Sequence, residues 1–491
     1  MPGRQAAVAA GSTGAVQAAA QILRTGGNAA DAAIGAAFAA TVCEPGLASL
    51  AGGGFLTVRA ARGADVVHDF FVNAPGLGRS GHATQPSLDT VTISFGGAEQ
   101  VFHAGLGSLA VPGTLDGLLH AHARHGRLDI ADVVSPARRL AAEGWTVDQT
   151  QHSVFVLLEE ILRLSEECWA LYSVDERPPP VGAVLTNAAL ARTLDRIANG
   201  AVRRFADIDG VGDLLDVVAS AGGALNALDL AEYSPAERDP LRASHRGAVL
   251  STNPAPSFGG PILAEATRLL GEQGPVAANP DGAARFIEAL RGATEREKQL
   301  RRNAPVAVKG TTHVSVVDAD GSLASLTQSN GSSSGVMVPG SGVQVNNVMG
   351  EEDLHPAGLH TAVPGSRIGS MMAPSLLDLP DGRVVALGSG GSERIRSAML
   401  SVLVGFVDRA EHADGAVESP RVHWDGSGVQ AEPPLATDVA DALARLGPVT
   451  RWPDKHLYFG GTHVVERYPD GHVEAHGDSR RGGASAVIDL P

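Results

Sequence analysis

A glycine–threonine pair, Gly310-Thr311, stands at the start of a segment whose residues could perform nucleophilic chemistry. A threonine hydroxyl is a weak nucleophile unless a base lies beside it, and its own α-amino group becomes such a base once the preceding peptide bond is cut. An α-amine has a pKa near 7.7 to 8.0, so part of it is neutral at pH 7, whereas lysine with a pKa near 10.4 is almost fully protonated. On pattern alone, a glycine before a β-branched strand favours the ordinary start of a β-hairpin over a nucleophile freed by cleavage.

Two segments downstream carry the other groups that such chemistry needs. Residues 388–394 read GSGGSER, and the backbone N–H groups of a glycine-rich turn can approach a reacting carbonyl and stabilise an oxyanion. The acidic run at 351–353 could bind a substrate ammonium group or form a solvated loop. His355 and His360 follow it, but their spacing fits no helical pair of metal ligands. The sequence therefore predicts neither a metal nor a cofactor.

Hydrophobic periodicity predicts the elements that must position these groups. Residues 11–23 and 29–42 carry small and apolar residues at helical spacing, and most of 112–300 also reads as helical. The pattern changes at 311–327, where two alternating segments surround a turn and predict a β-hairpin. The further predicted elements are strands at 336–338, 343–346, 375–379 and 384–387 and a helix at 394–408.

Composition and charge exclude several classes of protein. The 491 residues include 38 Lys and Arg against 54 Asp and Glu, a formal net charge of −16, whereas nucleic-acid binding needs clustered cations. The two cysteines, Cys43 and Cys168, show no metal-ligand spacing and suggest no disulfide framework. No run of about 18 apolar residues occurs. These features predict a cytoplasmic globular protein without a nucleic-acid or membrane partner, whose two halves share one core.

The hairpin segment resembles the start of the small subunit of the γ-glutamyltranspeptidases, which are N-terminal-nucleophile hydrolases. The likeness begins at Thr311, and the matching stretches, in chain order around it, are LRTGGNAADAAIGAAFAATVCEPGLASLAGGGF, VPGTLDGLLHAHARHG, PARRLAAEGW, GALNALDLAEY, NPAPSFGG, TTHVSVVDADGSLASLTQSNGSSSGVMVPGSGVQVNNVMGEEDL and LGSGGSERI. The resemblance implies an α/β (α+β) fold, the four-layer αββα sandwich of this class. It also implies a large subunit, residues 1–310, and a small subunit, residues 311–491, produced by cleavage at Gly310-Thr311.

The resemblance implies roles for individual residues. Thr311 is the expected nucleophile, and Ser329 stands where the family has a second threonine whose hydroxyl supports the nucleophile's amine. Asn330 matches an asparagine that contacts the substrate's α-carboxylate, although a plain Ser-Asn-Gly turn is the alternative. The amides of Gly391 and Ser392 are expected to bind the oxyanion.

The other residues expected to contact the substrate match the family's pattern only in part. Glu352 or Asp353 corresponds to a family aspartate that binds the substrate ammonium group. Ser370 matches one serine of a paired-serine motif, while Met371 stands where the second would be. The largest departure is Phe71, because the family has an arginine there that grips the glutamyl α-carboxylate, and phenylalanine cannot form that pair.

The sequence therefore predicts a self-processing hydrolase or acyltransferase that moves a γ-glutamyl-type acyl group from a small-molecule donor to water or an amine, as in glutathione metabolism. Gly310, lacking a Cβ, is expected to allow the strained backbone that attack on its carbonyl demands. Phe71 keeps a second reading open, an acylase or carbon–carbon hydrolase of a natural-product pathway with a non-glutamyl substrate. A third reading is an uncleaved binding protein on the same scaffold. The two subunits are each other's predicted partners, and a homodimer of them is left open.

Overall fold

The computed structural model describes residues 4–79, 88–94, 99–301, 310–351, 354–355 and 358–491. Glu352 and Asp353 lie outside these ranges. The α-helices within the ranges are α1 (Thr13–Arg24), α2 (Ala29–Cys43), α3 (Thr114–His125), α4 (Ile130–Glu143), α5 (Gln149–Leu162), α6 (Glu166–Leu171), α7 (Ala188–Ala198), α8 (Val211–Ser220), α9 (Ala227–Glu232), α10 (Gly259–Gly271), α11 (Pro280–Arg301), α12 (Arg394–Asp408), α13 (Ala413–Glu418) and α14 (Thr437–Ala444). The β-strands are β1 (Arg4–Ala10), β2 (Gly53–Arg59), β3 (Asp65–Asp69), β4 (Asp89–Ser94), β5 (Glu99–Ala104), β6 (Trp145–Thr146), β7 (Val184–Leu185), β8 (Ala236–Arg238), β9 (Leu241–His245), β10 (Ala248–Thr252), β11 (Gly310–Val317), β12 (Leu323–Gly331), β13 (Met337–Val338), β14 (Val343–Gln344), β15 (Ser375–Asp378), β16 (Val384–Gly390), β17 (Val422–Trp424), β18 (Val429–Ala431), β19 (Val449–Arg451), β20 (Gly461–Arg467), β21 (Val473–His476) and β22 (Ala484–Leu490).

The predicted hairpin forms the centre of a seven-stranded antiparallel sheet. Its strand order is β22-β1-β11-β12-β2-β3-β8. Every residue of β11 and β12 is buried, as expected when both faces of a sheet are covered. The second strand of the hairpin continues to Gly331, four residues beyond the predicted end at 327.

A second antiparallel sheet packs face to face on the first. Its strand order is β21-β20-β16-β15-β10-β9. Small and β-branched side chains fill the space between the two sheets, among them Ala7, Ala9, Val317 and Ala386. Small side chains at this interface let β11 and β16 approach each other closely, which matters at the candidate site.

Helices cover the outer faces of both sheets. On the first sheet, α2 begins after Asn28, whose side chain accepts a hydrogen bond of 2.9 Å from the N–H of Asp31. A Cβ on Gly35 of α2 would lie 2.0 Å from the side chain of Ile22, so α1 and α2 approach closely because position 35 is glycine. Helices α10, α11 and α12 belong to the apolar cluster on the second sheet. The layers are helix, sheet, sheet, helix, which confirms the predicted αββα sandwich.

Strands from both sides of residue 310 are interleaved in both sheets. The first sheet takes β1, β2, β3 and β8 from the earlier part of the chain and β11, β12 and β22 from the later part, and the second sheet is also mixed. Both cysteines are free and buried, in agreement with the absence of a disulfide framework. No helix within the described ranges is long and apolar enough to span a bilayer.

Candidate active site

A β-bulge lies at the start of β11, at the predicted cleavage point. The register between β11 and β12 shifts between Gly310 and Thr312. Two residues of β12, Ser329 and Asn330, therefore lie opposite the single residue Thr311. Bulges of this kind re-aim side chains and are frequent beside active sites. The bulge brings together three residues to which the sequence analysis gave roles.

The Ser329 hydroxyl contacts the predicted scissile bond directly in the uncleaved chain. It donates a hydrogen bond of 2.6 Å to the carbonyl oxygen of Gly310 and accepts one of 3.0 Å from the N–H of Gly331. A hydrogen bond to a carbonyl oxygen stabilises the negative charge that forms there when a nucleophile attacks the carbon. Ser329 is therefore placed to polarise the Gly310 carbonyl before any amine has been released.

Position 310 has no room for a side chain, and its φ angle is not one that by itself favours glycine. A Cβ at this position would lie 2.5 Å from the carbonyl oxygen of Gly331, 2.8 Å from that of Gly46 and 2.9 Å from Leu47 Cδ2. Gly310 does not occupy the left-handed region that would favour glycine. Close packing against Gly331 and the loop after α2 accounts for the glycine in the uncleaved chain, and the strained backbone expected during attack stays a prediction.

Asn330 is fully buried, and within the described ranges neither its amide oxygen nor its amide nitrogen has a hydrogen-bond partner. Its backbone N–H donates to the carbonyl oxygen of Leu47 at 3.0 Å. An unpaired buried polar group costs roughly 1 to 3 kcal/mol. The unpaired amide nitrogen suits the expected contact with a substrate carboxylate, which accepts hydrogen bonds; the amide oxygen does not serve that contact.

Strand β16 approaches the bulge from the second sheet through its glycines. A Cβ on Gly390 would lie 2.2 Å from the carbonyl oxygen of Thr311, and a Cβ on Gly388 would lie 2.2 Å from the ring of His313. The sheets can meet here because β16 has no side chain where β11 presents a carbonyl group and an imidazole. The glycine-rich segment is thus held against the candidate nucleophile.

His313, two residues from Thr311, is not placed to act as a base. It is fully buried, and its ring nitrogens lie 2.8 Å from the hydroxyl groups of Thr327 and Ser315. Burial, with His463 nearby, lowers the pKa of His313 well below its usual range. The ring is a hydrogen-bonded part of the core.

The segment after β16 has the backbone of an anion-binding turn. Gly391 has φ 123° and Ser392 has φ 52°, and the latter is a left-handed angle that serine seldom adopts. Such a conformation costs on the order of 1 kcal/mol and is often found at functional sites. Both residues lie within three positions of the first residue of α12, whose N-terminus carries a partial positive charge. These features fit the oxyanion-binding role expected of Gly391 and Ser392.

Arg481 lies beside this turn, and the sequence analysis did not identify it. Its Nη1 and Nη2 atoms lie 3.4 Å from the points where a Cβ would stand on Gly390 and Gly391, respectively. Its Nε donates to the carbonyl oxygen of Leu457 at 3.2 Å, and within the described ranges no carboxylate pairs with it. Burial and the neighbouring Arg394 lower the pKa of Arg481 to about 10, so it stays charged at neutral pH. The only signal in the sequence was a pair of adjacent arginines near the C-terminus.

Glu44 is a second group that the sequence analysis did not single out. It is 1% exposed, and within the described ranges neither carboxylate oxygen forms a hydrogen bond of normal geometry. Burial raises the pKa of Glu44 to about 7, against the lowering effect of the Thr312 and Ser12 hydroxyls that face it. In the sequence, the signal was that Glu44 directly follows the small and apolar residues of α2, all of which are buried.

Phe71 lies in an apolar cluster behind β2. It is 2% exposed, its ring stacks on Phe55 with centroids 5.8 Å apart, and a Cβ on Gly53 would lie 2.9 Å from the ring. Gly53 pairs with Ser329 across the sheet. Phe71 is therefore close to the bulge but offers it only an apolar surface.

Ser370 lies against the first turn of α10. Its carbonyl oxygen accepts hydrogen bonds from the N–H groups of Phe258 and Gly259, and its hydroxyl accepts one of 3.1 Å from the N–H of Met372. No hydrogen bond within the described ranges joins Ser370 to the bulge. Its contact with a substrate stays a prediction.

The structure describes only the first residue of the acidic run 351–353. Glu351 is 4% exposed, and a Cβ on Gly331 would lie 2.6 Å from its Oε1, so this acid lies beside the bulge. His355 Nε2 is hydrogen-bonded to the Val348 carbonyl oxygen at 3.0 Å. The roles of Glu352 and Asp353 stay predictions.

The sequence and the fold of this chain are similar to those of known enzymes over nearly its whole length. The family profile described as Gamma-glutamyltranspeptidase matches residues 15–309 and 293–488. The Acylase ACY 1 proenzyme of Pseudomonas sp. (strain SE83) is 31% identical, with 96% of this chain and 91% of that protein covered. The glutathione hydrolase proenzyme of Escherichia coli (strain K12) is 26% identical, with 97% and 90% covered. The crystal structure of cephalosporin acylase from Bacillus halodurans superposes with a TM-score of 0.82 at 25% identity, with 99% of this chain and 96% of that chain covered.

Proposed function

The chain belongs to the γ-glutamyltranspeptidase family, and on that premise we propose that it is a self-processing hydrolase or acyltransferase with Thr311 as its nucleophile. The observation that carries the proposal is the 2.6 Å hydrogen bond from Ser329 to the Gly310 carbonyl. It lies on the one peptide bond whose cleavage would free the α-amine of Thr311. The relatives named proenzymes support a precursor that is cut into two chains.

Self-cleavage follows from the groups around the bulge. The Thr311 oxygen attacks the Gly310 carbonyl carbon, the C–N bond breaks, and the hydroxyl proton passes to the departing nitrogen. Water then hydrolyses the resulting ester, which leaves a carboxylate on Gly310 and a free amine and hydroxyl on Thr311. Ser329 stabilises the oxyanion of the first step.

Turnover then uses the new N-terminus. The α-amine of Thr311 accepts the hydroxyl proton as the oxygen attacks the acyl donor, and it returns the proton to the leaving group. The amides of Gly391 and Ser392 bind the oxyanion, and the charge of Arg481 beside them favours its formation. Water or an amine releases the acyl group from Thr311.

The donor we favour carries a non-glutamyl acyl group. Phe71 presents a buried apolar ring where the family has a carboxylate-binding arginine, and a buried ring cannot hold a carboxylate. The relatives named acylases agree with this choice. A carbon–carbon hydrolase is compatible with the same replacement of arginine by Phe71.

A γ-glutamyl donor is the second candidate. It is supported by the unpaired amide of Asn330 and by the relatives named glutathione hydrolases.

Intact-mass measurement tests the nucleophile. Purified wild type should yield two chains, residues 1–310 and 311–491, while Thr311→Ala should stay whole and catalyse no turnover of an acyl anilide. Thr311→Ser should retain part of both activities, and Thr312→Ser, a change at the neighbouring threonine, should be cleaved like wild type. Wild type that stays whole after prolonged incubation at neutral pH would overturn the proposal and support an uncleaved binding protein.

A further inference from the structure

Three histidines and one glutamate meet between α3 and the edge of the first sheet. His68 on β3 pairs directly with Glu237 on β8, so their side chains leave the same face of the sheet. Helix α3 lies over this face and contributes His120 and His125, whose rings contact that of His68. Strands β2 and β12 separate β3 from β11, so the cluster is not part of the candidate active site.

The ligand atoms of His68, His120 and Glu237 are close enough together to share a metal ion. Nε2 of His68 lies 2.7 Å from Nε2 of His125, and Nε2 of His120 lies 3.1 Å from Oε1 of Glu237. One ligand atom from each of His68, His120 and Glu237 lies within 4.8 Å of the other two. Ligand atoms at the corners of a tetrahedron around zinc are about 3.3 Å apart, given metal–ligand bonds of roughly 2.0 to 2.1 Å.

Among the described residues, the hydrogen bonds within the cluster leave one buried ring nitrogen without a partner. His68 is fully buried, and within the described ranges its Nδ1 has no hydrogen-bond partner. Two imidazole nitrogens 2.7 Å apart cannot both carry protons without repulsion, so at least one of the two rings presents a lone pair to the other. A bound cation would accept a lone pair from each ring that ligates it.

We propose that His68, His120 and Glu237, with His125 adjacent to them, bind one divalent transition-metal ion of the zinc type. Imidazole and carboxylate ligands in this number suit Zn²⁺, Co²⁺ and Ni²⁺. The ion joins α3 to β3 and to the edge strand β8, and it stabilises the folded chain because it binds the folded state in preference to the unfolded state.

Arg124 supplies a specific test because it competes for the same carboxylate. Its Nε lies 2.9 Å from Oε1 of Glu237, and its side chain is 60% exposed, so it can move into solvent when a cation arrives. Removing this guanidinium should therefore tighten metal binding. A cluster held only by hydrogen bonds would show no such gain.

Titration of the EDTA-treated full-length protein with ZnCl₂ and with CoCl₂ decides the matter. Wild type should bind one equivalent, raise its Tm with Zn²⁺ and show the visible absorption of tetrahedral Co²⁺, while self-cleavage stays unchanged. His120→Gln, at a partly exposed position that should not disturb folding, and His68→Gln should each weaken binding at least tenfold and remove the Tm shift. Arg124→Gln should bind more tightly, and His152→Gln, on distant α5, should match wild type. Absence of a bound equivalent in wild type, or equal binding by His120→Gln, would overturn the proposal.

Discussion

The hydroxyl of Ser329 and the carbonyl oxygen of Gly310 are joined by a hydrogen bond of 2.6 Å, across the boundary between the two proposed subunits. The acceptor belongs to the residue whose bond to Thr311 is the proposed cleavage point, so we expect cleavage to end this contact. Once Gly310 has departed, the same hydroxyl is free to contact the new α-amine of Thr311. We expect one side chain to serve self-cleavage first and turnover afterwards.

Ser329→Ala should slow self-cleavage about a hundredfold, because removing one oxyanion donor typically costs 10²- to 10³-fold in rate. Ser329→Thr should retain the donor and cleave at a rate near wild type. Ser325→Ala is the matched control, since Ser325 also lies on β12 and donates to a backbone carbonyl, that of Leu387, at 2.9 Å. A time course of intact mass measures all rates. Equal slowing by Ser325→Ala would mean that the effect comes from strand stability.

Arg481→Gln should lower kcat about ten- to a hundredfold and change KM little, because the guanidinium acts on charge that develops in the transition state. Arg481→Lys should keep part of the rate, and Arg451→Gln, at an exposed arginine, should behave like wild type. Steady-state kinetics on an acyl anilide, with fully cleaved protein, measure kcat and KM separately. A raised KM at constant kcat would instead assign Arg481 to binding the donor.

Wild type should discriminate weakly between a γ-glutamyl anilide and the same anilide without the α-carboxylate. The missing arginine contact is worth roughly 1.5 to 3 kcal/mol, about ten- to a hundredfold in affinity. The ratio of kcat/KM for the two donors measures the discrimination, and Phe71→Leu should leave it unchanged. Strong preference for the carboxylate in wild type would show that another group supplies the clamp.

Phe71→Arg should destabilise the folded chain. A guanidinium in this cluster would be buried beside Phe55. The Asp69 carboxylate near it already pairs with Arg238 and Arg367, so we expect a loss of stability of several kcal/mol rather than a restored clamp. The midpoint of urea unfolding measures the loss. A stable variant with a gained preference for the γ-glutamyl donor would contradict this expectation.

Glu44 should make stability depend on pH. Burial raises its pKa from 4.5 to about 7, so the folded chain holds a proton that the unfolded chain releases, and stability falls as pH rises between these values. Glu44→Gln should be about 3 kcal/mol more stable than the unchanged protein at pH 8 and within about 1 kcal/mol of it at pH 5, given 1.36 kcal/mol per pKa unit. Urea unfolding in an uncleavable Thr311→Ala background measures this, with exposed Glu272→Gln as control. The same difference at both pH values would contradict the raised pKa.

Local patterns in the sequence were sufficient for the main elements of the fold. The hairpin predicted at 311–327 is β11 and β12, the helix predicted at 394–408 is α12, and the helix predicted at 29–42 ends one residue later as α2. These elements follow from periodicity, from glycine breaks and from side-chain caps, all of which act between residues close in the chain. The resemblance to the family, carried by continuous motifs around Thr311, was readable for the same reason.

Only the tertiary structure decided which groups surround Thr311. The bulge depends on how β11 registers with β12, while Arg481 reaches the turn after β16 from near the C-terminus and Glu44 reaches Thr312 from the end of α2. The histidine cluster likewise needs the pairing of β3 with β8 under α3. Such contacts join residues tens to hundreds of positions apart, and they arise from sheet register and from the packing of layers, which no local pattern of residues encodes.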